Sequence, residues 1–376
     1  MRDNKVWWYD TDFFFSWIFS IQRGLAIAIR TPTNYLICID CGRSEEFSPY
    51  EDFILPYFIR QAADYKEYFE GVLQKSKIAQ LFISHPHYDH IKEIRKYVTG
   101  FKGQKTRYSP VFLTGPNDNA RMERDEVIDF SRIKIDETNK NALNAYRRET
   151  GFRSPPLRLI RPDDSKGDTG FDFDLGLYYV KPKWCGREYE KDDPKYVNST
   201  SLLNYFRYGR NSVLFTGDIT KEAIEQILKN TGDTERRYVR FSLGRESNNT
   251  DWHVGKSNPP PLQKILVASG LTALVAPHHG LKTGYPEALY EDIGVLPAIV
   301  LASEKTLKEG EGGTFPYSED HASGHDIHNN GKTDSDRKFV TTKVDGHICV
   351  IFTGERSIIK QSRNLSDLLY VERSLI

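Results

Sequence analysis

The stretch "LFISHPHYDHIK", residues 81–92, decides how the rest of the chain is read. Four residues with the character of a buried strand lead into His85, Pro86, His87, Tyr88, Asp89 and His90, so three of the chain's ten histidines fall within six positions. In an extended segment residues two apart share a face, and His85 and His87 can therefore reach one cation together. Asp89 and His90 fall at the turn into a following helix and point toward a second position. Imidazole nitrogen and carboxylate oxygen suit Zn²⁺, and also Mn²⁺ or Fe²⁺. The bland alternative is a surface loop that happens to be rich in histidine, and the buried strand before it argues against that.

One loop does not supply a full ligand set, and two other segments offer more. "SVLFTGD" ends an apolar run in Asp218 after Gly217, and "ALVAPHHG" ends another in His278 and His279. Ligand sites in α/β folds collect at the carboxyl ends of strands. Taken alone, Asp218 reads as a helix cap before "ITKEAIEQIL". Three such strand ends in one chain carry far more weight than any one of them.

The order H-x-H-x-D-H, then T-G-D, then H-H-G resembles the metallo-β-lactamase fold superfamily. Within it, the chain is most similar to the ComEC-type branch, named after the hydrolase domain of a DNA-uptake channel protein. The likeness is carried by "GLAIAIRTPTNYLICIDCG", "ISHPHYDHI", "NSTSLLNYFRYGRNSVLFTGDI", "APHHGLKTGYPEAL", "SGHD" and "TTKVDGHICV", which together span roughly residues 20–350. It implies an αββα sandwich with metals at one edge, in an α/β chain bearing polar insertions. By position, His85 and His87 would hold one metal, Asp89 and His90 a second, and Asp218 would bridge the two. One of His278 and His279 would complete the second site, and the other would contact substrate or support a ligand. Asp40, in "IDCG", would brace the metal loop through hydrogen bonds. The chain departs from the broader pattern twice. No histidine occurs from Ile91 to Trp252, where Asn198, Ser199 and Ser201 stand instead, and Gly24-Leu25-Ala26 lacks the acidic residue the branch carries at its centre.

The resemblance implies a hydrolase holding one or two Zn²⁺ or Mn²⁺ ions. Bound divalent cations supply hydroxide near neutral pH and offset charge on the attacked group. Asp89 would orient the nucleophile, and His325 in "SGHD" is the candidate acid for the leaving group, ahead of His321 and His328. Lys282 and Thr283, with Asn198 and Ser201, are candidate substrate contacts. The first reading is a phosphodiesterase or nuclease acting on nucleic acid or a nucleotide. Hydrolysis of a small ester, thioester or lactam uses the same metals, because fold does not fix function. A third reading is a metal-bearing scaffold or sensor whose insertions bind a protein partner.

The bulk composition constrains these readings. Lysine plus arginine and aspartate plus glutamate are 52 each in 376 residues, so the basic excess of a long nucleic-acid track is missing globally. Four scattered cysteines suit a reducing compartment better than a disulfide framework. The spacing Cys38-Ile39-Asp40-Cys41 lies within an apparent strand and reads as structure, not redox chemistry. The most apolar early run, "FFFSWIFSI", is shorter than the roughly 20 residues a membrane helix needs. The expectation is a cytoplasmic protein with no membrane segment, built as one domain over residues 1–376.

Along the chain, residues 25–29 and 35–39 read as a hairpin about a proline turn, and so do 201–209 and 212–218 about Gly209-Arg210-Asn211. Residues 50–73 and 131–151 carry helical spacing, and 175–184 reads as a strand. Residues 236–261 read as loop-rich, the polar stretch 117–194 as an insertion, and 305–333 as a long active-site loop.

Overall fold

The computed structural model describes residues 4–7, 13–22, 24–32, 35–56, 78–99, 110, 112–116, 128–133, 136–153, 171–191, 193–242, 259–303, 317, 320–329 and 331–376. Over these the fold is mixed α/β. The first strands are β1 (Lys5–Trp7), β2 (Phe14–Ile18), β3 (Ile27–Arg30), β4 (Leu36–Ile39), β5 (Ile78–Phe82) and β6 (Phe112–Thr114). Then come β7 (Asp172–Val180), β8 (Leu203–Tyr208), β9 (Asn211–Phe215), β10 (Thr234–Ser242), β11 (Ala273–Val275) and β12 (Ile299–Ala302). The last are β13 (His325–Asn329), β14 (Lys332–Arg337), β15 (Phe339–Thr341), β16 (His347–Phe352), β17 (Ser357–Ser362) and β18 (Tyr370–Glu372).

Two large sheets result. One has nine strands in the order β14-β13-β17-β16-β2-β3-β4-β5-β6, and the other seven in the order β10-β7-β8-β9-β11-β12-β15. β1 and β18 pair separately. Strands buried on both faces read as continuous apolar runs, and β2, β3, β4 and β9 are buried at every position. Alternate residues serve two cores. Phe14, Ile27, Ile39 and Phe82 of the larger sheet join Phe173, Phe206, Phe215 and Leu301 of the smaller in one apolar cluster. Phe14 lies 5.1 Å from Phe352, 5.9 Å from Phe206 and 6.3 Å from Phe173, measured between ring centres. Each such buried ring contributes ~1.5–3 kcal/mol of transfer free energy. The opposite faces carry Trp17, Cys38 and Leu81, or Tyr205 and Leu214, and these pack with helical residues such as Phe53, Tyr97, Ile224 and Leu266.

Both expected hairpins form, as β3–β4 and β8–β9. Several boundaries differ from the sequence reading. Residues 236–242, at the start of the stretch read as loop-rich, belong to β10, a nine-residue strand from Thr234 to Ser242 held by the full length of β7. Its charged side chains hide the pattern, because an edge strand keeps one border in solvent. The 131–151 helix starts only at Lys140, and the strand within 175–184 stops at Val180, where Pro182 opens a short helix ending at Glu188. A proline at the first helical turn costs nothing and stops the ladder. The polar stretch 117–194 is not wholly appended to the fold, since its strand β7 lies between β10 and β8. The 305–333 segment is also not loop throughout, because β13 and β14 form a polar hairpin on one border of the larger sheet. From residue 57 onward the 50–73 helical stretch lies outside the described residues, as do residues 304–316.

Candidate metal centre

The parallel neighbours β9, β11 and β12 end on one side of the smaller sheet, while β4 and β5 end beside them in the larger. Cross-links hold these ends together. Leu202 N donates to Ser84 O at 2.9 Å, His278 N to Gly217 O at 2.9 Å, and Ser303 Oγ to Gly24 O at 2.8 Å. Gly217 makes the closest approach possible. It sits at φ +57, and a Cβ there would stand 2.7 Å from that of Ser84.

After β5, His85 precedes a proline, which disfavours the helical region there. His87 is still extended (φ −69, ψ 148), and the helical turn Tyr88–Ile91 then swings Asp89 and His90 to the other side. The outcome is two triads, His85 with His87 and Asp218, and Asp89 with His90 and His279. Within each, one ligand atom per residue lies within 4.8 Å of the others. His85 Nε2 is 3.0 Å from His87 Nδ1 and 3.8 Å from Asp218 Oδ2. His279 Nε2 is 3.7 Å from Asp89 Oδ2 and 3.5 Å from Asp218 Oδ2, and His90 Nε2 is 3.3 Å from Asp218 Oδ1. Ligands about 2.1 Å from a tetrahedral cation stand ~3.4 Å apart, so the spacing fits.

Hydrogen bonds behind the triads fix which nitrogens face inward. Asp40, fully buried, accepts from Ser84 N at 2.7 Å, from Ser84 Oγ at 2.7 Å and from His90 Nδ1 at 2.8 Å. With its one hydrogen given to Asp40, the Ser84 hydroxyl accepts from His85 Nδ1 at 3.0 Å. His279 Nδ1 donates to the Ser303 carbonyl at 3.0 Å. His85, His90 and His279 each thereby direct Nε2 to the centre, the atom a metal-binding imidazole offers when its other nitrogen is held by a hydrogen bond. His90 Nε2 and His279 Nε2 are buried without a hydrogen-bond partner among the described residues. Facing carboxylates, such a buried nitrogen is met either by a proton of its own or by a cation.

Electrostatics point the same way. The ionic partners of Asp40, Asp89 and Asp218 among the described residues are all imidazoles. Burial alone would raise the Asp89 and Asp218 carboxyls, yet His279 and His90 outweigh it and hold both well below the usual carboxylate range. Burial pushes His85 and His87 down, keeping those rings neutral. Burial would push His90 down too, but Asp218 and Asp40 overcome it and raise its affinity for a proton. A centre that draws protons onto a buried imidazole to balance its carboxylates has the charge to hold a divalent cation. Both triads could hold one.

The pair His278-His279 divides its work. His279 is buried and belongs to the second triad, whereas His278 is partly exposed, with Nδ1 2.8 Å from Thr283 Oγ1 and Nε2 3.8 Å from Asp218 Oδ2. Both residues adopt left-handed backbone, at φ 48 and φ 57, as does Asp40 at φ 57. Such strain costs of order 1–3 kcal/mol per residue and gathers at functional sites. Thr283 therefore braces His278, while Lys282 is exposed nearby. Ser201 is buried against Gly217, and its Oγ, like Asn198 Oδ1, has no hydrogen-bond partner among the described residues.

His325 is not brought to the centre. It opens β13, with Nε2 2.8 Å from Ser357 Oγ at the start of the parallel strand β17. β13 lies six strands from β5 in the sheet order, about 29 Å at roughly 4.8 Å per step. His325 also sits at the opposite strand end. His328 bonds Thr333 within the same hairpin, and His321 packs among Tyr285, Tyr290 and Tyr317. Cys38 and Cys41 are buried free thiols, raised by burial. Sequence reasoning missed Ser84 and Ser303. Ser84 was legible as the small polar residue between strand and motif, but only the fold reveals the Ser303 carbonyl. No helix among the described residues is long and apolar enough to cross a membrane.

No family model matches this chain, and no curated protein does.

Proposed function

We propose that the protein is a metal-dependent hydrolase of the metallo-β-lactamase kind, its facing sheets and flanking helices forming an αββα sandwich. We further propose that it cleaves phosphodiesters of nucleic acid or nucleotides. The observation that carries the reading is the meeting of two His/Asp triads, from three chain segments, around inward-facing imidazole nitrogens. When bound, Zn²⁺ or Mn²⁺ would supply a hydroxide nucleophile at neutral pH and Lewis acidity for the attacked group. Asp218, between the triads, holds them in register, and Asp89 accepts and orients the proton of an incoming water. His278, exposed and fixed by Thr283, replaces His325 as the residue facing the leaving group. The preference for phosphodiesters over carboxylic esters rests on the ComEC-type motifs.

Purified protein assayed with Mn²⁺ or Zn²⁺ against single-stranded DNA, duplex DNA, RNA and bis-p-nitrophenyl phosphate tests this. Turnover should fall at least about a hundredfold in Asp89→Ala/His90→Ala, since ligand loss removes the nucleophile. Equal activity in that variant would place the chemistry elsewhere, and turnover of thioesters alone would replace the substrate class.

A further inference from the structure

A second site lies away from the metal centre, on the helix-covered face of the smaller sheet. Three charged residues align across adjacent strands, with Arg240 opposite Asp174 and Asp174 opposite Arg207. Asp174 is fully buried and grips both guanidinium groups, Arg240 Nε at 2.8 Å and Arg207 Nε at 2.6 Å. One carboxylate thus fixes the planes of two arginines and leaves further N–H donors on each unspent. Arg207 and Arg240 line an open groove of about 620 Å³, together with Arg210, Lys264, Tyr238 and Ile265. Among the described residues, none that lines it is acidic. Asp174 offsets one of the four cations, and Arg210 and Lys264 have no ion pair among the described residues. Neutralising the buried aspartate needs one arginine. The surplus describes a place for an anion, and its volume falls within the roughly 300–1,000 Å³ of small-molecule sites.

The same groove carries an aromatic and an apolar side chain beside its cations: Tyr238, whose hydroxyl accepts from Arg240 Nη2 at 3.4 Å, and Ile265, next to Lys264 on the helix Leu262–Ser269. Arginine forks match phosphate oxygens, and a tyrosine face with an aliphatic floor matches a planar base. We propose that this groove binds a nucleoside di- or triphosphate, with its phosphates on the arginines and Lys264 and its base against Tyr238. Arg210 lies in the turn before β9, whose far end leads to Asp218, so the length of that strand, about 16 Å at roughly 3.3 Å per residue, separates the two sites. Occupancy here is independent of the metal-centre reading.

Calorimetric titration of the full chain with ADP, inorganic pyrophosphate and a short single-stranded oligonucleotide, all in EDTA, tests the assignment. ADP should bind, and at least tenfold more weakly in Arg210→Ala/Lys264→Ala, whose exposed side chains can be removed without disturbing the core. Tyr238→Leu should weaken ADP and leave pyrophosphate unchanged. ADP binding that survives the double substitution, or no binding at millimolar ADP, would overturn the site. Pyrophosphate bound as tightly as ADP would overturn the nucleotide, and an oligonucleotide bound more tightly than ADP would replace it with nucleic acid.

Discussion

Asp40 joins the 84–90 loop to the rest of the molecule through three hydrogen bonds and holds the His90 ring with Nε2 inward. Asp40→Asn keeps the shape but loses the charge that orients the ring. Metal affinity should drop roughly 10–100-fold, the usual cost of such a partner, while circular dichroism stays unchanged. Titration calorimetry with Zn²⁺ or Mn²⁺ reads the change, and unchanged affinity would show that the brace does not serve the metal. Gly217 is constrained differently, by its φ of +57 and by the Ser84 side chain against it. Gly217→Ala should destabilise by at least about 2 kcal/mol and lower metal occupancy, because relief of the clash moves Asp218. Urea denaturation and elemental analysis check both. His85, His87, Asp89 and His90 were legible because neighbours in sequence stay neighbours in space. That His279, and not His278, joins Asp89 and His90 was not, since two adjacent left-handed residues send their rings to different sides.

At the scale of elements, the buried strands declared themselves and the polar ones did not. Continuous apolar runs marked β2 to β5 and β9, whereas β10, β13 and β14 carry charged side chains that mimic loop sequence. β16 offers a pH test. His347, at its start, accepts from Ser20 N at 3.1 Å beside Phe19 and Phe47, and burial lowers its pKa from 6.5 to about 4. The unfolded chain binds this proton more readily, so the contribution is complete above pH 6.5 and is lost as pH falls toward 4. The loss approaches ~3 kcal/mol at ~1.4 kcal/mol per pH unit. His347→Gln, which keeps an acceptor for Ser20, should flatten this part of the stability–pH curve in denaturant titrations.

For the molecule as a whole, the centre lies where the ends of two sheets meet, which among the described residues share an apolar cluster and a few cross-links. Cation binding should therefore stabilise the fold, by about 2.7 kcal/mol at a hundredfold excess over Kd, and raise Tm by a few degrees. EDTA should reverse the rise, and Asp218→Ala should abolish it; a Tm indifferent to cations in scanning calorimetry would mean that the triads bind none. The amino-acid sequence by itself determined the α/β character, the two hairpins and the local His/Asp cluster, because strand periodicity and one six-residue motif are short-range information. Only the tertiary structure decided that Asp218 and His279 join that loop, that His325 stands at the far strand end, and that Asp174 collects Arg207 and Arg240. Those outcomes depend on strand order and direction across the sheets, which pair residues far apart in the chain and leave no mark in any one stretch of it.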